Sequence, residues 1–421
     1  MMKILLIAQS YYPYNSPGSH RIHSFAKYLP KHGFTPTLLC VDWNRETCLR
    51  MGRGASYGYA ASLEGKDVCR TLRVSFLSPE PSRLRSEIGY LRPLSGGNGL
   101  FPVLLARGRQ LLREEKFDII LATSGPLLIV NVAWHLSRLN GMLWVADLRD
   151  IAGQLRLRYP WSRPWAWRSW PYLAWEIHQE AMVCRQATAV VTVSAPLAEK
   201  LRKRSVGKVQ VILNGFDPDD YAAIVPRKTD AFRVVYAGVI QAGRNPSPLF
   251  DALDLLLEQE TIRADDFEVC FFGPPQQQFE PYLDGRRCKA LVRLEAWKSR
   301  DEILKITAEA SLLLQLAHSG DGGIVTSKLF EYLGTRRPIL SIPKDHGVVD
   351  AILEETGAGQ SATSPTEVAA IILRQYTHWK ETGDVDYHGR PEAIARYTRQ
   401  AQAVKLAKVL HQALDRRPTV G

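Results

Sequence analysis

Several short stretches of this 421-residue chain combine charged side chains with glycine in patterns that could do chemistry. In GDGGIVTSKLFEYLGTRRPIL, a loop bearing Gly320, Gly322 and Gly323 precedes a helix predicted to begin near Thr326, with Ser327 and Lys328 in its first turn. An ammonium there opposes the helix dipole and makes sense beside a bound anion. Glu331 falls three residues on, roughly on the same face, where an ordinary surface ion pair with Lys328 is the competing reading. In YAGVIQAGRNPSPLF, Gly243 and Arg244 lie in a loop between a strand ending at Gly238 and a helix beginning near Pro248. A guanidinium there can take a diphosphate through two parallel hydrogen bonds, although a loop arginine is more often simply solvated. ADLRD supplies Asp147, Arg149 and Asp150 at the C-terminal end of a strand, where open α/β sheets build their sites. A structural Asp–Arg pair explains that motif equally well. The opening loop QSYYPYNSPGSHR leads into a helix N-terminus that can hold phosphate on backbone N–H groups. Only Gly18 stands where a dinucleotide fingerprint needs three glycines, which disfavours NAD and FAD, and a turn-forming Gly18 is the plainer alternative.

A further segment is distinctive by composition. QLRLRYPWSRPWAWRSWPYLAWEIHQE holds Trp161, Trp165, Trp167, Trp170 and Trp175, half of the chain's ten tryptophans, beside Arg156, Arg158, Arg163 and Arg168. Indole rings with cations suit a membrane interface over anionic lipid. Single-stranded nucleic acid can use the same mixture, and a helical hairpin with inward-packed tryptophans is the structural alternative.

The elements that must position these residues follow from the hydrophobic pattern. Short β-rich runs (KILLIAQ, TPTLLCVD, DIILAT, MLWVAD, ATAVVTVS, VQVILNG) alternate with amphipathic segments, and the pattern restarts at FRVVYAG and continues through FEVCFFG, LVRLEA, SLLLQLA and PILSIP. Such alternation predicts parallel sheets covered by helices on both faces. The expected domains are 1–216, a Pro- and Asp-containing linker over 217–231, a second domain over 232–390, and a helical segment over 391–421 that returns to the first. Residues 51–116, with SYGYAASLEG and PLSGGNGLFP, show weak periodicity and interrupt the first domain; a stretch that long is expected to be mobile or functional.

Composition excludes several classes. Hydrophobic residues at 45% and charged residues at 23% are those of a globular protein rather than a disordered one. No apolar run reaches the roughly 18 residues of a membrane span, and MMKILLIAQ reads as a first strand without a signal-peptide cleavage site, which predicts a cytoplasmic protein. The six cysteines are scattered without metal-ligand spacing, so neither a disulfide framework nor a zinc site is expected. The net charge of +11 is uneven: residues 1–217 carry +14 and the remainder −3. One half therefore suits an anionic partner; nucleic acid is possible, but no nucleic-acid-binding signature is visible, and a membrane surface or phosphate-bearing substrate fits at least as well.

SKLFEYLGTRRPIL resembles the K-x-x-E-Y-L-A-x-G-x-P-I-L segment of retaining glycosyltransferases of family 4, which have the GT-B fold of two doubly wound Rossmann-like domains facing a central cleft. The opening MKILLIAQSYYPYNSPGSHRIHSFAKYLPKHGF, the middle ATSGPLLIVNVAWHLSRLNGMLWVADLRD, and VVTVSAPLAEKL with VILNGFD resemble further family segments in the same order. The resemblance implies an acceptor-binding first domain and a second domain that binds the nucleotide sugar. It assigns Glu331 to the donor ribose hydroxyls, Lys328 and Arg244 to the diphosphate, and the loop at Gly18 to an approach on the donor phosphates. Phe272, Gly273 and the Glu295–Trp297 stretch fall where the family places its nucleobase pocket. The family's first motif glutamate should stand at position 323, which here is Gly323; backbone groups of Asp321, Gly322 and Gly323 are expected to substitute. Arg149 occupies the place of a histidine common among relatives, and Asp150 or Arg149 is expected to orient the acceptor.

The expected activity is therefore retaining, metal-independent transfer of a hexose from a UDP- or GDP-linked donor, with no separate cofactor. The acceptor is expected to be a glycan, lipid-linked, in surface polysaccharide or glycolipid assembly at the inner face of the membrane, with Trp161, Trp165, Trp167, Trp170, Arg163 and Arg168 meeting anionic lipid and no nucleic acid bound. A GT-B epimerase or hydrolase acting on a nucleotide sugar is the enzymatic rival, and a non-catalytic nucleotide-sugar scaffold the other.

Overall fold

The computed structural model describes the chain except residues 51–57, 76–98, 125–126, 153–169, 206–208, 226–228, 239, 241–242, 274–276, 278, 319–324 and 417–421. It divides into two units, Met1–Leu213 with Gln402–Gly421, and Asn214–Ala401.

The first unit is built on a seven-stranded parallel sheet in the order β3-β2-β1-β4-β5-β6-β7. Its strands are β1 (Met2–Ala8), β2 (Phe34–Val41), β3 (Arg70–Val74), β4 (Ile119–Thr123), β5 (Leu143–Leu148), β6 (Ala189–Thr192) and β7 (Val209–Val211). Its helices before the second unit are α1 (Pro17–Tyr28), α2 (Arg45–Arg50), α3 (Leu100–Glu114), α4 (Leu128–Asn140), α5 (Trp170–Gln186) and α6 (Ala195–Arg202). The run ILLIA over 4–8 is apolar at every position because that part of β1 is buried on both faces. Leu5 and Ile7 pack with α3 and α4 residues such as Leu104, Leu111 and Leu136. Ile4 and Leu6 pack with Ile22, Phe25, Leu406 and Leu410 on the other side.

The second unit has a six-stranded parallel sheet in the order β10-β9-β8-β11-β12-β13. It comprises β8 (Phe232–Ala237), α7 (Ser247–Glu258), β9 (Phe267–Phe272), α8 (Glu280–Leu283), β10 (Val292–Glu295), α9 (Arg300–Glu309), β11 (Leu312–Leu316), α10 (Ser327–Thr335), β12 (Ile339–Ile342), α11 (Val348–Thr356), β13 (Gly359–Ser361), α12 (Pro365–Thr382) and α13 (Pro391–Ala395). The last helix, α14 (Arg399–Leu414), begins in this unit and ends in the first. Two helix starts are written in the sequence as S-x-x-E: Ser299 with Glu302, and Ser364 with Glu367, both closed as reciprocal capping boxes. Tyr236, Phe250, Phe271 and Phe279 centre the core on one sheet face.

The 51–116 interruption is corrected by the structure: β3 and α3 both lie in it. β3 is an edge strand with mostly half-buried residues and leaves a weak apolar signal, whereas α3 buries Leu100, Leu104, Gly108 and Leu111 along one helical face. Among the described residues, no helix is long and apolar enough to cross a membrane.

Candidate functional site

In each sheet the strand order reverses once, between β1 and β4 and between β8 and β11. Loops at the C-terminal ends of strands diverge at such a point and leave a crevice for ligand. Among the described residues, those singled out by sequence lie around these two places.

In the second unit, β8 runs out at Gly238, and α10 brings Lys328 onto it. The Lys328 Nζ donates to the Tyr236 hydroxyl at 2.9 Å and stands 4.2 Å from that ring's centroid. A Cβ on Gly238 would lie 2.5 Å from Nζ, and Gly238 has φ +116°, so glycine is required twice over. Burial, and then the charge of Arg244, lower the Lys328 pKa to about 7. Arg244 is itself 6% exposed. Two cations near each other, one of them at the start of a helix, form an environment that an anion relieves. Thr326 is the α10 N-cap but its hydroxyl caps no N–H; it accepts instead from Gln315 Nε2 at 3.3 Å. Ser327 opens the helix.

Lys328 and Glu331 do not form the surface pair that their spacing allowed. The Glu331 carboxylate instead accepts from Arg300 at 3.0 Å, and Arg300 also reaches Asp220 at 2.7 Å. On the other side of β8, Phe272 is buried at the end of β9, and Gly273 follows with φ +104°. The Trp297 indole covers Gly273 so closely that a Cβ would sit 2.9 Å from the ring. Gly273 N donates to the Glu295 carbonyl at 3.0 Å, while the Glu295 side chain is half exposed beside Lys298. The structure thus brings Gly273, Glu295 and Trp297 together. Gly243 has φ +85° and lies against His318, whose Nε2 would be 2.6 Å from an added Cβ. Gly322 and Gly323 lie outside the described residues.

In the first unit, Gly18 is not a turn residue: it is the second residue of α1, behind the Ser16 cap that accepts from Ser19 N at 3.1 Å. Its hydrogen side chain makes room for the Arg149 guanidinium, which an added Cβ would meet at 2.7 Å. Arg149 is aimed there by Ser124, which accepts from its Nε at 2.7 Å through the carbonyl and from its backbone N at 3.1 Å through the hydroxyl. Burial lowers the Arg149 pKa, partly offset by Asp150 and Asp147. Asp150 is exposed. Asp147 is fully buried and takes both Arg21 Nε and NH2 at 2.9 Å plus the Thr123 hydroxyl at 2.8 Å. The structural Asp–Arg pair therefore exists, but its arginine is Arg21, leaving Arg149 to face α1. Trp161, Trp165, Trp167, Arg163 and Arg168 lie outside the described residues, and of Trp170 only the place at the start of α5 is described.

Sequence reasoning missed Arg300, Asp220, Tyr236 and His318. Tyr236 and His318 read as a strand aromatic and a strand end, Arg300 as a helix-cap neighbour; nothing local marks them.

Residues 18–220 match the family model described as Glycosyltransferase Family 4. No curated protein matches the chain. Among solved structures, the chain is similar to Anabaena Alr3699/HepE in complex with UDP-glucose, at 15% identity over 98% of this chain and 100% of that one, TM-score 0.62. It is similar to sucrose-phosphate synthase from Thermosynechococcus elongatus, at 13% identity over 99% and 100%, TM-score 0.62. It is also similar to the lipopolysaccharide outer core galactosyltransferase WaaB in its apo form, at 16% identity over 98% and 99%, TM-score 0.57. Residues 18–220 thus carry the family 4 sequence pattern, and the two parallel sheets have the GT-B architecture of these solved structures.

Proposed function

We propose that the protein moves a hexose, with retention of configuration and without a metal, from a nucleoside-diphosphate sugar to a glycan acceptor. The observation that carries this reading is the Lys328–Arg244 pair at the start of α10, two largely buried cations whose proximity an anionic diphosphate would relieve. Glu331, one helical turn on, suits the ribose hydroxyls, and the Trp297 indole over Gly273 suits the base. HepE has been solved with UDP and with UDP-glucose, which favours uridine as that base here.

In this reading the leaving diphosphate assists departure of the sugar and receives the acceptor proton. The flanking pair of carboxylates used by hydrolases is not needed. The protein's share is to stabilise charge developing on the β-phosphate, through Lys328, Arg244 and the α10 N-terminus. Arg149, fixed by Ser124 against Gly18, with exposed Asp150 beside it, orients the acceptor. The acceptor is lipid-linked at an anionic membrane surface, supported by the Trp- and Arg-rich run over 156–175 and the +14 charge of residues 1–217.

A thermal-shift screen of UDP-, GDP- and dTDP-sugars tests the donor assignment, since a ligand that binds only the folded state raises the melting temperature. One base is expected to give a selective shift that Glu331→Ala removes. No shift from any donor would move the weight to the scaffold reading, or to a donor site that forms only with acceptor present.

A further inference from the structure

Arg300 opens α9, and its guanidinium, 11% exposed, bridges two carboxylates: NH1 donates to Glu331 Oε1 at 3.0 Å and NH2 to Asp220 Oδ2 at 2.7 Å. Asp220 closes the turn Pro218–Asp220. The next residue, Tyr221, donates its hydroxyl to the Glu331 backbone carbonyl at 2.7 Å. The Tyr221 ring lies against Gly334, where an added Cβ would be 2.6 Å away. One residue of α10 is thus gripped by its carboxylate and by its carbonyl, from α9 and from the 218–221 turn.

Neutralising Arg300 does not require Glu331, because Asp220 alone matches its charge. Sharing one guanidinium leaves the trio with a net negative charge. It also occupies only one Glu331 oxygen: among the described residues Oε2 has no partner, and the side chain is 23% exposed. Burial alone would lower the Arg300 pKa, but Glu331 and Asp220 outweigh it and hold the group more firmly protonated. The result is a carboxylate locked in one orientation, with an accepting oxygen turned free.

We propose that Arg300, anchored by Asp220, is a positioning residue for the donor ribose: it fixes Glu331 so that Oε2 accepts from the vicinal 2′- and 3′-hydroxyls. This rests on the nucleotide-sugar reading above. A carboxylate oxygen has two lone-pair sites and can take both hydroxyls. A glutamate free to rotate would lose that freedom on binding, and the Arg300 contact removes the loss beforehand.

The test is calorimetric titration of the full chain with UDP and GDP, each against its 2′,3′-dideoxy counterpart. Wild type is expected to prefer the ribose form of one base by about tenfold or more. In Arg300→Met that preference should fall to about threefold or less, while affinity for the dideoxy form changes little. Arg300→Lys, which can satisfy one carboxylate, should restore part of the preference. A general packing defect would weaken both forms alike, and that outcome, an unchanged ratio in Arg300→Met, or a wild type indifferent to the hydroxyls would each overturn the proposal. If Glu331→Gln abolishes the preference and Arg300→Met does not, the donor reading stands and only the role of Arg300 falls. A wild type that binds neither nucleotide would sink the donor reading, and this inference with it. Should Arg300→Met fail to fold, Asp220→Asn puts the same question without removing the guanidinium, with an expected fall in preference of about two- to fivefold.

Discussion

Lys328 is an ammonium placed against burial, against a neighbouring guanidinium and against the dipole of its own helix. Burial and then the Arg244 charge, partly offset by Glu331, lower its pKa to about 7 in the folded chain. Between about pH 7 and 10 the unfolded chain therefore holds a proton that the folded chain has released. Stability then rises with pH across that window, and the full penalty applies below it. Lys328→Met should accordingly raise the melting temperature at pH 6–7 by several degrees, an effect of roughly 2–4 kcal/mol, and should do nothing by pH 10.5; calorimetry at the two pH values decides. A diphosphate restores the charge, so binding takes up a proton. UDP affinity in wild type should weaken by up to about tenfold per unit from pH 7.5 to 9, and titrations of Lys328→Met should be flat over the same range. Turnover in Lys328→Ala should fall by about two orders of magnitude, as loss of one electrostatic contact to developing charge does; unchanged turnover would remove Lys328 from the mechanism.

At the scale of elements, the two switch points are assembled by different devices. In the second unit a helix is brought onto a glycine strand end; in the first, a buried ion pair ties α1 to β5. Arg21 spans from Asp147 to the Ile212 and Leu213 carbonyls just past β7, at 2.9 Å each. Removing one partner of a buried pair leaves an uncompensated charge and costs about 3–5 kcal/mol. Asp147→Ala should therefore destabilise the first unit by that order, read as faster amide exchange in β1, β4 and β5, with β8–β12 unaffected. Gly18→Ala is the complementary case. Its Cβ meets only the far end of a flexible side chain, so stability should hold while Arg149 is displaced and acceptor transfer drops. The strands and helices around Gly18, Arg149, Arg244 and Lys328 were legible in the sequence, because doubly buried strands give continuous apolar runs. β3, RTLRV, was not: an edge strand with two arginines is written to resist pairing, and it reads as a polar loop. Arg300 was hidden for a different reason. It sits inside an ordinary capping sequence, S-R-D-E, and its partners Asp220 and Glu331 are 80 and 31 residues away.

Over the whole molecule, charge is uneven along the sequence, with +14 over residues 1–217 and −3 beyond. If the Trp–Arg run meets anionic lipid, replacing Trp165 and Trp167 by Ser should release the protein from anionic vesicles in a flotation assay; undiminished binding would discard the membrane proposal. The path of the chain has a consequence of its own. Leu406 and Leu410 of α14 complete the same core as Ile4, Leu6 and Phe25, although the entire second unit lies between them in sequence. In topological terms the second unit is an insertion within the first. During synthesis on the ribosome, the unit that starts first must therefore finish last, its hydrophobic face waiting open until the final helix emerges.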